Sequence, residues 1–459
     1  MTTFDSDILN NKKHIHFIGI GGSGMFPLAQ ILHSKGFYLT GSDINESDII
    51  SLVRELGIKV YMKHDKENIK GADLIIYSAA IMKDNPEILA AKENGVPLLE
   101  RSELLGIVTQ QFDNCICVCG THGKTTTTSM ITHILFESGF DPSAVIGGKL
   151  KTIGGYGRVG RSDIMICEAC EFVDTFLKLS PDVTVILNID EDHLDYFKTL
   201  DNIIKSFNKF ADMTSKTIIV NGDDENSLKA IKGIDKEIIY FGLTDKNDYY
   251  PDNINYNTDE KTHSKTTDFD LIHKGKKLGT ISLHVVGIHN VLNAVAACAA
   301  ALNAGASFDD IASSLSRFYG AGRRLEILGI KNGITIADDY AHHPAELKCT
   351  LEAVKSLKYN NIWAVFQPFT FSRTAMLLND FVEVLKLADK VVLSPIMGSR
   401  EINTYNIYSK DLGDKIEGCV CLDTFEQIAD YVITNAKSGD IVITLGCGDI
   451  YKAAKLMLK

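Results

Sequence analysis

The sequence predicts an α/β protein with three parallel-sheet domains. Three observations carry this reading. Short apolar runs alternate with stretches of helical spacing along nearly the whole chain, the pattern of strands joined by crossover helices. Two of the runs end in glycine-rich turns that open a helix. The length, 459 residues, suits three domains at roughly 150 residues each.

The elements follow in order. His14–Gly19 is a short strand ending in glycine, and Met25–His33 has helical spacing. Phe37–Thr40 leads to Asp43, and Asp73–Tyr77 is a further strand ending at Ser78. A second unit opens with the run Cys115–Gly120 and the helical stretch Thr125–Ser138. Ile164–Cys167, Val183–Ile189 and Thr217–Val220 read as buried strands. Leu243–Asp268, rich in Asp, Asn, Thr and Tyr, reads as a surface loop. Phe269–His273 and Leu278–Val285 flank a glycine turn and predict a hairpin, and Val291–Leu302 is an alanine-rich helix. Phe318–Arg324, with two glycines, is a linker. Ile334–Ala337, Ile362–Phe366, Lys390–Leu393 and Asp440–Leu445 repeat the parallel pattern. The domains are therefore expected at residues 1–108, 109–321 and 322–459.

Composition narrows the function. With 47 Lys+Arg against 59 Asp+Glu, the formal net charge is −12. That balance argues against a general nucleic-acid binder, which normally shows a basic face. No run of about 18 apolar residues predicts a membrane span. The N-terminus lacks the basic start and apolar core of a secretory signal, so a cytoplasmic protein is expected. Cys115, Cys117 and Cys119 alternate along one strand face, where free cysteine acts as a small hydrophobe. Cys167 and Cys170 form a lone C-x-x-C with no second ligand pair for zinc.

Five motifs carry chemistry. In Gly120-Thr121-His122-Gly123-Lys124-Thr125-Thr126, a strand–turn–helix context lets backbone N–H groups approach phosphate oxygens. Lys124 can reach terminal phosphates there, and the Thr125 hydroxyl can bind Mg²⁺. Gly19, Gly21, Gly22, Ser23 and Gly24 lie in a G-x-G-x-x-G loop, with Asp43 about 20 residues on. Alone this predicts NAD or FAD, and its physical content is a helix N-terminus facing a diphosphate. Glu168 and His193 follow core strands and are placed to hold Mg²⁺. His289, Asn290 and Asn293 cluster at a helix start, where amides can bond a base edge or cap the helix. The third unit offers Arg324, Asp339, Tyr340, His342, His343 and Arg373.

In this order, over nearly the whole chain, the motifs resemble the Mur ligase family. The carriers are HFIGIGGSGM (His16–Met25), GTHGKTTT (Gly120–Thr127), EACE (Glu168–Glu171), NIDEDHLDYF (Asn188–Phe197), HNVLNA (His289–Ala294), GRRLEILG (Gly322–Gly329), DDYAHHPAE (Asp338–Glu346) and FQPFTFSRT (Phe366–Thr374). The resemblance implies a Rossmann-like N-terminal domain, a central P-loop ATPase-like domain and a mobile Rossmann-like C-terminal domain. It implies an ATP-dependent ligase with Mg²⁺. The GIGGSGM start narrows the expectation to the member that joins L-alanine to the lactyl carboxylate of UDP-N-acetylmuramate.

On that resemblance the UDP-sugar lies at Gly19, Gly21–Met25, Asp43 and Ser78, and ATP at the Gly120–Thr126 loop. Mg²⁺ lies at Thr125, Glu168 and His193, and adenine at His289, Asn290 and Asn293. Arg324 and Asp339 hold ATP phosphate and ribose. Tyr340, His342, His343 and Arg373 line the reaction centre. The chain departs from family habit at Phe369-Thr370, where a histidine often follows Gln-Pro. Lys205 and Lys209 lie where several members carry a carbamylated lysine, with neither assigned that role. A monomer or homodimer is expected. Three alternatives stay open: a related ligase adding a ready-made peptide to the same UDP-sugar, a nicotinamide-dependent dehydrogenase on the first glycine loop, and a nucleotide-binding scaffold.

Overall fold

A computed structural model describes residues 6–258, 265–399 and 401–459. The first sheet contains β1 (His14–Ile18), β2 (Tyr38–Ser42), β3 (Lys59–Tyr61), β4 (Leu74–Tyr77) and β5 (Leu98–Glu100), all parallel, in the order β3-β2-β1-β4-β5. Strand order reverses beside β1, so a crevice opens at the carboxyl ends of β1 and β4. The glycine loop and Ser78 follow those two ends.

The second sheet comprises β6 (Asn114–Cys119), β7 (Ser143–Leu150), β8 (Gly155–Arg158), β9 (Ile164–Glu168), β10 (Val183–Ile186), β11 (Thr217–Asn221), β12 (Glu237–Phe241), β13 (Tyr249–Thr258), β14 (Lys265–His273) and β15 (Lys276–Leu283). Their order is β15-β14-β13-β12-β11-β10-β6-β9-β7-β8. Central β6 pairs in parallel with β9 and β10. Buried on both faces, β6 reads as a continuous apolar run. Cys115, Cys117 and Cys119 are fully buried, as the alternation predicts. The Cys167 thiol lies 3.4 Å from Cys117, its register partner across the two strands. All ten cysteines are free thiols.

Two expectations need correction. Leu243–Asp268 is not simply loop: β13 occupies Tyr249–Thr258, and β14 begins at Lys265. Asp252, Asn253, Asn255, Tyr256 and Asn257 of β13 are exposed. Ladder hydrogen bonds rather than apolar burial hold such a strand, and no hydrophobic pattern announces it. Residues 259–264 of that stretch lie outside the described residues. The predicted strand Val183–Ile189 stops at Ile186. Leu187, Asn188 and Ile189 lie beyond the strand; Asn188 braces the phosphate loop, whereas the Ile189 N–H donates to Asp224. The hairpin at β14–β15 forms as predicted, turning on Lys274 and Gly275, both at positive φ.

The third sheet holds β16 (Glu326–Lys331), β17 (Ile334–Asp339), β18 (Ile362–Phe366), β19 (Lys390–Leu393), β20 (Val420–Cys421) and β21 (Ile441–Leu445), in the order β16-β17-β21-β18-β19-β20. Only the edge strand β16 is antiparallel. Contact density divides the chain into two compact units. The larger takes in Met1–Asn255, Asp268–Leu283 and Asn290–Phe318, so the first sheet and most of the second belong to one body; the smaller holds Tyr256–Thr267, His284–His289 and Tyr319–Lys459. Among the described residues no helix is long and apolar enough to cross a membrane.

Candidate active site

The phosphate loop connects β6 to the helix Lys124–Glu137. Gly123 caps that helix at φ +87°, a left-handed conformation that favours glycine. Asn188 clamps the loop. Its side-chain oxygen accepts the His122 N–H at 2.8 Å, its amide donates to the His122 carbonyl at 3.0 Å, and its own carbonyl accepts the Thr121 N–H at 3.0 Å. The first N–H groups of the helix have no partners within it, which makes this end an anion site.

Lys124 folds back on its own loop. Its ammonium donates to the carbonyls of Gly120 and Thr121 at 2.5 and 3.1 Å and pairs with Glu171 at 3.0 Å. Burial opposes the charge, but Glu171, with Cys170 and Glu168 behind it, outweighs burial and raises the pKa above the ordinary lysine value. The three ammonium hydrogens thus have protein partners that a phosphate would exchange for its own oxygens.

Next to it the Thr125 hydroxyl donates to Glu168 at 3.0 and 2.9 Å, and Gly147 N–H donates to the same carboxylate at 2.9 Å. Glu168 has no cation partner at ion-pair distance among the described residues. A hydroxyl and a carboxylate side by side are hard oxygen donors, and they fit Mg²⁺. His193 is not joined to this pair. It adopts φ +54° at the start of Leu194–Phe197, lies 3.6 Å from Asp192 and packs on the Phe172 ring at 4.6 Å. Lys205 and Lys209 are both exposed on the helix Leu200–Asp212, which supports neither as a buried bridging lysine.

Asn293 meets the phosphate loop directly: a Cβ on Gly123 would lie 2.6 Å from its side-chain oxygen. Its amide donates to Asn290 at 3.3 Å, so these two motif residues stand together beside the loop. Burial lowers the His289 pKa to about 4, which keeps that imidazole neutral at pH 7.

At the first glycine loop, Asp43 accepts the Gly21 N–H at 2.9 Å through one oxygen and the N–H groups of Ile44 and Asn45 through the other. The acid predicted for a ribose therefore also braces the loop. A cavity of about 320 Å³ is lined by Gly22–Met25 and Ser78 and also by Gly147 and Glu168. One cavity thus joins the N-terminal glycine loop to the carboxylate that holds Thr125.

The smaller unit has its own strand-end crevice. Asp339, at the end of β17, accepts N–H groups of Leu325 and Ala341, each at 2.7 Å. Burial raises its pKa to about 6, with Arg324 and the two N–H groups opposing. The Arg324 guanidinium lies 5.3 Å from the centre of the Tyr340 ring. His342 contacts Glu346 at 3.2 Å and the Tyr340 carbonyl at 3.1 Å. Its pKa is lowered, chiefly by burial and then by Arg373, against the pull of Glu346. His343 is a helix cap, its Nδ1 accepting the Ala345 N–H at the start of Pro344–Ser356.

Three residues with no assigned role in the sequence reading take part in the site. Asn188, inside a quoted motif, clamps the phosphate loop; Glu171 holds Lys124; and Arg101 lines the cavity. The second acid of the EACE motif, just past the strand Ile164–Cys167, is the signal for Glu171. Nothing local singled out Arg101.

A braced phosphate loop, a hydroxyl–carboxylate pair and a second glycine loop on the same cavity define a phosphate-loop enzyme of the α/β class. Family models match in succession: the Mur ligase family catalytic domain at residues 14–113, the Mur ligase middle domain at 118–301 and the Mur ligase glutamate ligase domain at 323–448. The chain belongs to the Mur ligase family.

It is 43% identical over 457 residues to a UDP-N-acetylmuramate–L-alanine ligase of Acetivibrio thermocellus, covering 98% of this chain and 96% of the relative. A ligase of the same name from Caldanaerobacter subterraneus is 42% identical, with 98% of each chain covered. Among solved structures, the UDP-N-acetylmuramate–alanine ligase of Thermotoga maritima superposes with a TM-score of 0.83 at 27% identity over 98% of both chains. A murein peptide ligase of Psychrobacter arcticus, at 24% identity and a TM-score of 0.74, shares the fold.

Proposed function

We propose that the chain joins L-alanine to the lactyl carboxylate of UDP-N-acetylmuramate, consuming ATP and releasing ADP and phosphate. The observation that carries this reading is the shared cavity. A nucleotide-sugar on the Gly22–Met25 loop has its acid end within reach of the Glu168 wall and the phosphate loop behind it. The named relatives, 42–43% identical over nearly the full length, support alanine as the added residue rather than a peptide, and a ligase rather than a nicotinamide enzyme.

A carboxylate is a poor acyl donor, because direct amide formation would expel hydroxide. In the proposed reaction a lactyl carboxylate oxygen attacks the γ-phosphorus of ATP, the bond to the bridging oxygen breaks, and ADP leaves. Lys124, released from Glu171, offsets the repulsion between carboxylate and triphosphate, and Asn188 keeps the loop backbone in register. The alanine nitrogen then attacks the acyl carbon, phosphate leaves, and the nitrogen loses its proton. Thr125 and Glu168 would hold Mg²⁺, which supplies charge neutralisation at the phosphates. His193 is assigned to the same set.

Gly120, Thr121, His122, Gly123 and Thr126 are assigned to ATP, with Asn290, Asn293 and His289 on the base side. Arg324 and Asp339 are assigned to ATP from the C-terminal domain, and His342, His343 and Arg373 to the reaction centre. The proposed division is 1–108 for the UDP-sugar, 109–321 for ATP and 322–459 for closure, which excludes water from the acyl phosphate.

The test is phosphate release with ATP, UDP-N-acetylmuramate and, in turn, alanine, glycine or serine. Release that requires all three substrates and favours alanine is the expected result. Binding of both nucleotides without release would turn the reading to a scaffold.

A further inference from the structure

We propose that Arg101 is the cation that binds the diphosphate of the nucleotide-sugar at the N-terminal glycine loop. Arg101 opens the helix Arg101–Thr109 directly after β5, at the same carboxyl edge of the sheet as the loop. Its side chain lies against Gly24. A Cβ built on that glycine would stand 3.2 Å from Cδ, 3.3 Å from Nη1 and 3.5 Å from Nε of Arg101. The missing side chain therefore gives the guanidinium its seat on the loop, one residue from the start of the next helix, where a phosphate is favoured.

Arg101 is the only Lys or Arg among the residues lining the cavity of about 320 Å³. Among the described residues it has neither a hydrogen bond nor an ion pair, although acids flank it in sequence. Those acids are engaged elsewhere. Lys178 lies 3.5 Å from Glu100 and 3.9 Å from Glu103, and Glu103 also accepts the Glu100 N–H at 2.7 Å. Lys178 thus engages the neighbouring carboxylates, and the partly buried Arg101 lines the cavity with no ion-pair partner among the described residues.

A guanidinium fork matches phosphate oxygens in bidentate geometry. Glu168 lines the same cavity, so Arg101 is the one lining side chain that attracts an anion.

The inference rests on the UDP-sugar reading above. The test measures calorimetric binding of uridine, UDP and UDP-N-acetylmuramate, without ATP, to the full-length protein and to its Arg101→Ala and Arg101→Lys variants. Arg101→Ala is expected to weaken UDP and UDP-N-acetylmuramate by the same factor, on the order of 10- to 100-fold, and to leave uridine unchanged. Arg101→Lys, which keeps the charge but loses the fork, recovers only part. Unchanged UDP binding in Arg101→Ala overturns the proposal, as does a loss confined to UDP-N-acetylmuramate, which would place the lactyl acid at Arg101. If the unmodified protein binds neither UDP nor UDP-N-acetylmuramate, the UDP-sugar reading itself fails.

Discussion

The Thr125 hydroxyl donates to both oxygens of the Glu168 carboxylate, at 3.0 and 2.9 Å, across 43 residues of sequence. The pair brings the first turn of the phosphate-loop helix to the end of β9. It sets two oxygens where a divalent cation and a triphosphate can share them. Glu168→Gln keeps the shape and the hydrogen bond from Gly147 but removes the charge. The Mg²⁺ concentration for half-maximal turnover should rise by roughly tenfold or more, with UDP-N-acetylmuramate affinity in the absence of ATP little changed. A Mg²⁺ titration of phosphate release checks this, and an unshifted curve would remove Glu168 from the metal.

Lys124 and Glu171 make a second, separable prediction. Both side chains are largely buried, at 14% and 4% exposure, and each neutralises the other. Lys124→Ala strands a buried carboxylate, so it should cost about 3–5 kcal/mol of stability as well as turnover. The double variant Lys124→Met with Glu171→Gln should regain most of the lost thermal stability while phosphate release stays absent. Turnover restored along with stability would mean that Lys124 serves the fold and not the chemistry.

What was legible in the sequence was local. Glycine loops and strand-to-helix turns declare themselves through backbone chemistry within a few residues, so the Gly19–Gly24 and Gly120–Thr126 loops stand where they were expected. The resemblance gathered the distant pieces of each site, and the structure joins several of them, such as Asn290 and Asn293 beside Gly123. Others have local partners of their own: His193 lies beside Asp192 and Phe172, and one ring nitrogen of His343 caps a helix. Arg101 was illegible because its importance comes from tertiary facts. It lies 77 positions beyond Gly24, and only the folded chain shows Lys178 drawing off its acidic neighbours. Strand β13 was illegible for a different reason, since its exposed polar residues carry no apolar period.

Gly123 offers a test confined to one substrate. Its φ of +87° strains any L side chain, and an added Cβ would sit 2.6 Å from the Asn293 oxygen. Gly123→Ala must displace Asn293 or twist the helix start, at a cost of roughly 1–2 kcal/mol. The KM for ATP should rise about tenfold, and the KM for UDP-N-acetylmuramate should stay within a factor of two of its original value. Steady-state kinetics with each substrate varied in turn would show this. Equal changes in both would argue against separate seats for the two nucleotides.

Asp339 gives the C-terminal unit a pH dependence of its own. Burial lifts its pKa from the ordinary 3.8 to about 6, against Arg324 and two backbone N–H donors. The folded chain therefore holds this proton more tightly than the unfolded chain does. The stability it confers is complete below about pH 4 and is lost as pH rises through about 6, amounting to about 3 kcal/mol at 1.36 kcal/mol per unit. The single tryptophan, Trp363, is buried in β18 of the same sheet, so its fluorescence reports unfolding of this unit alone. Urea midpoints followed through Trp363 should fall between pH 4 and pH 7 in the natural protein. Asp339→Asn, which cannot titrate, should fall less over that interval and lie relatively higher at pH 7. Identical pH slopes in the two proteins would show that the Asp339 carboxyl titrates in its ordinary range.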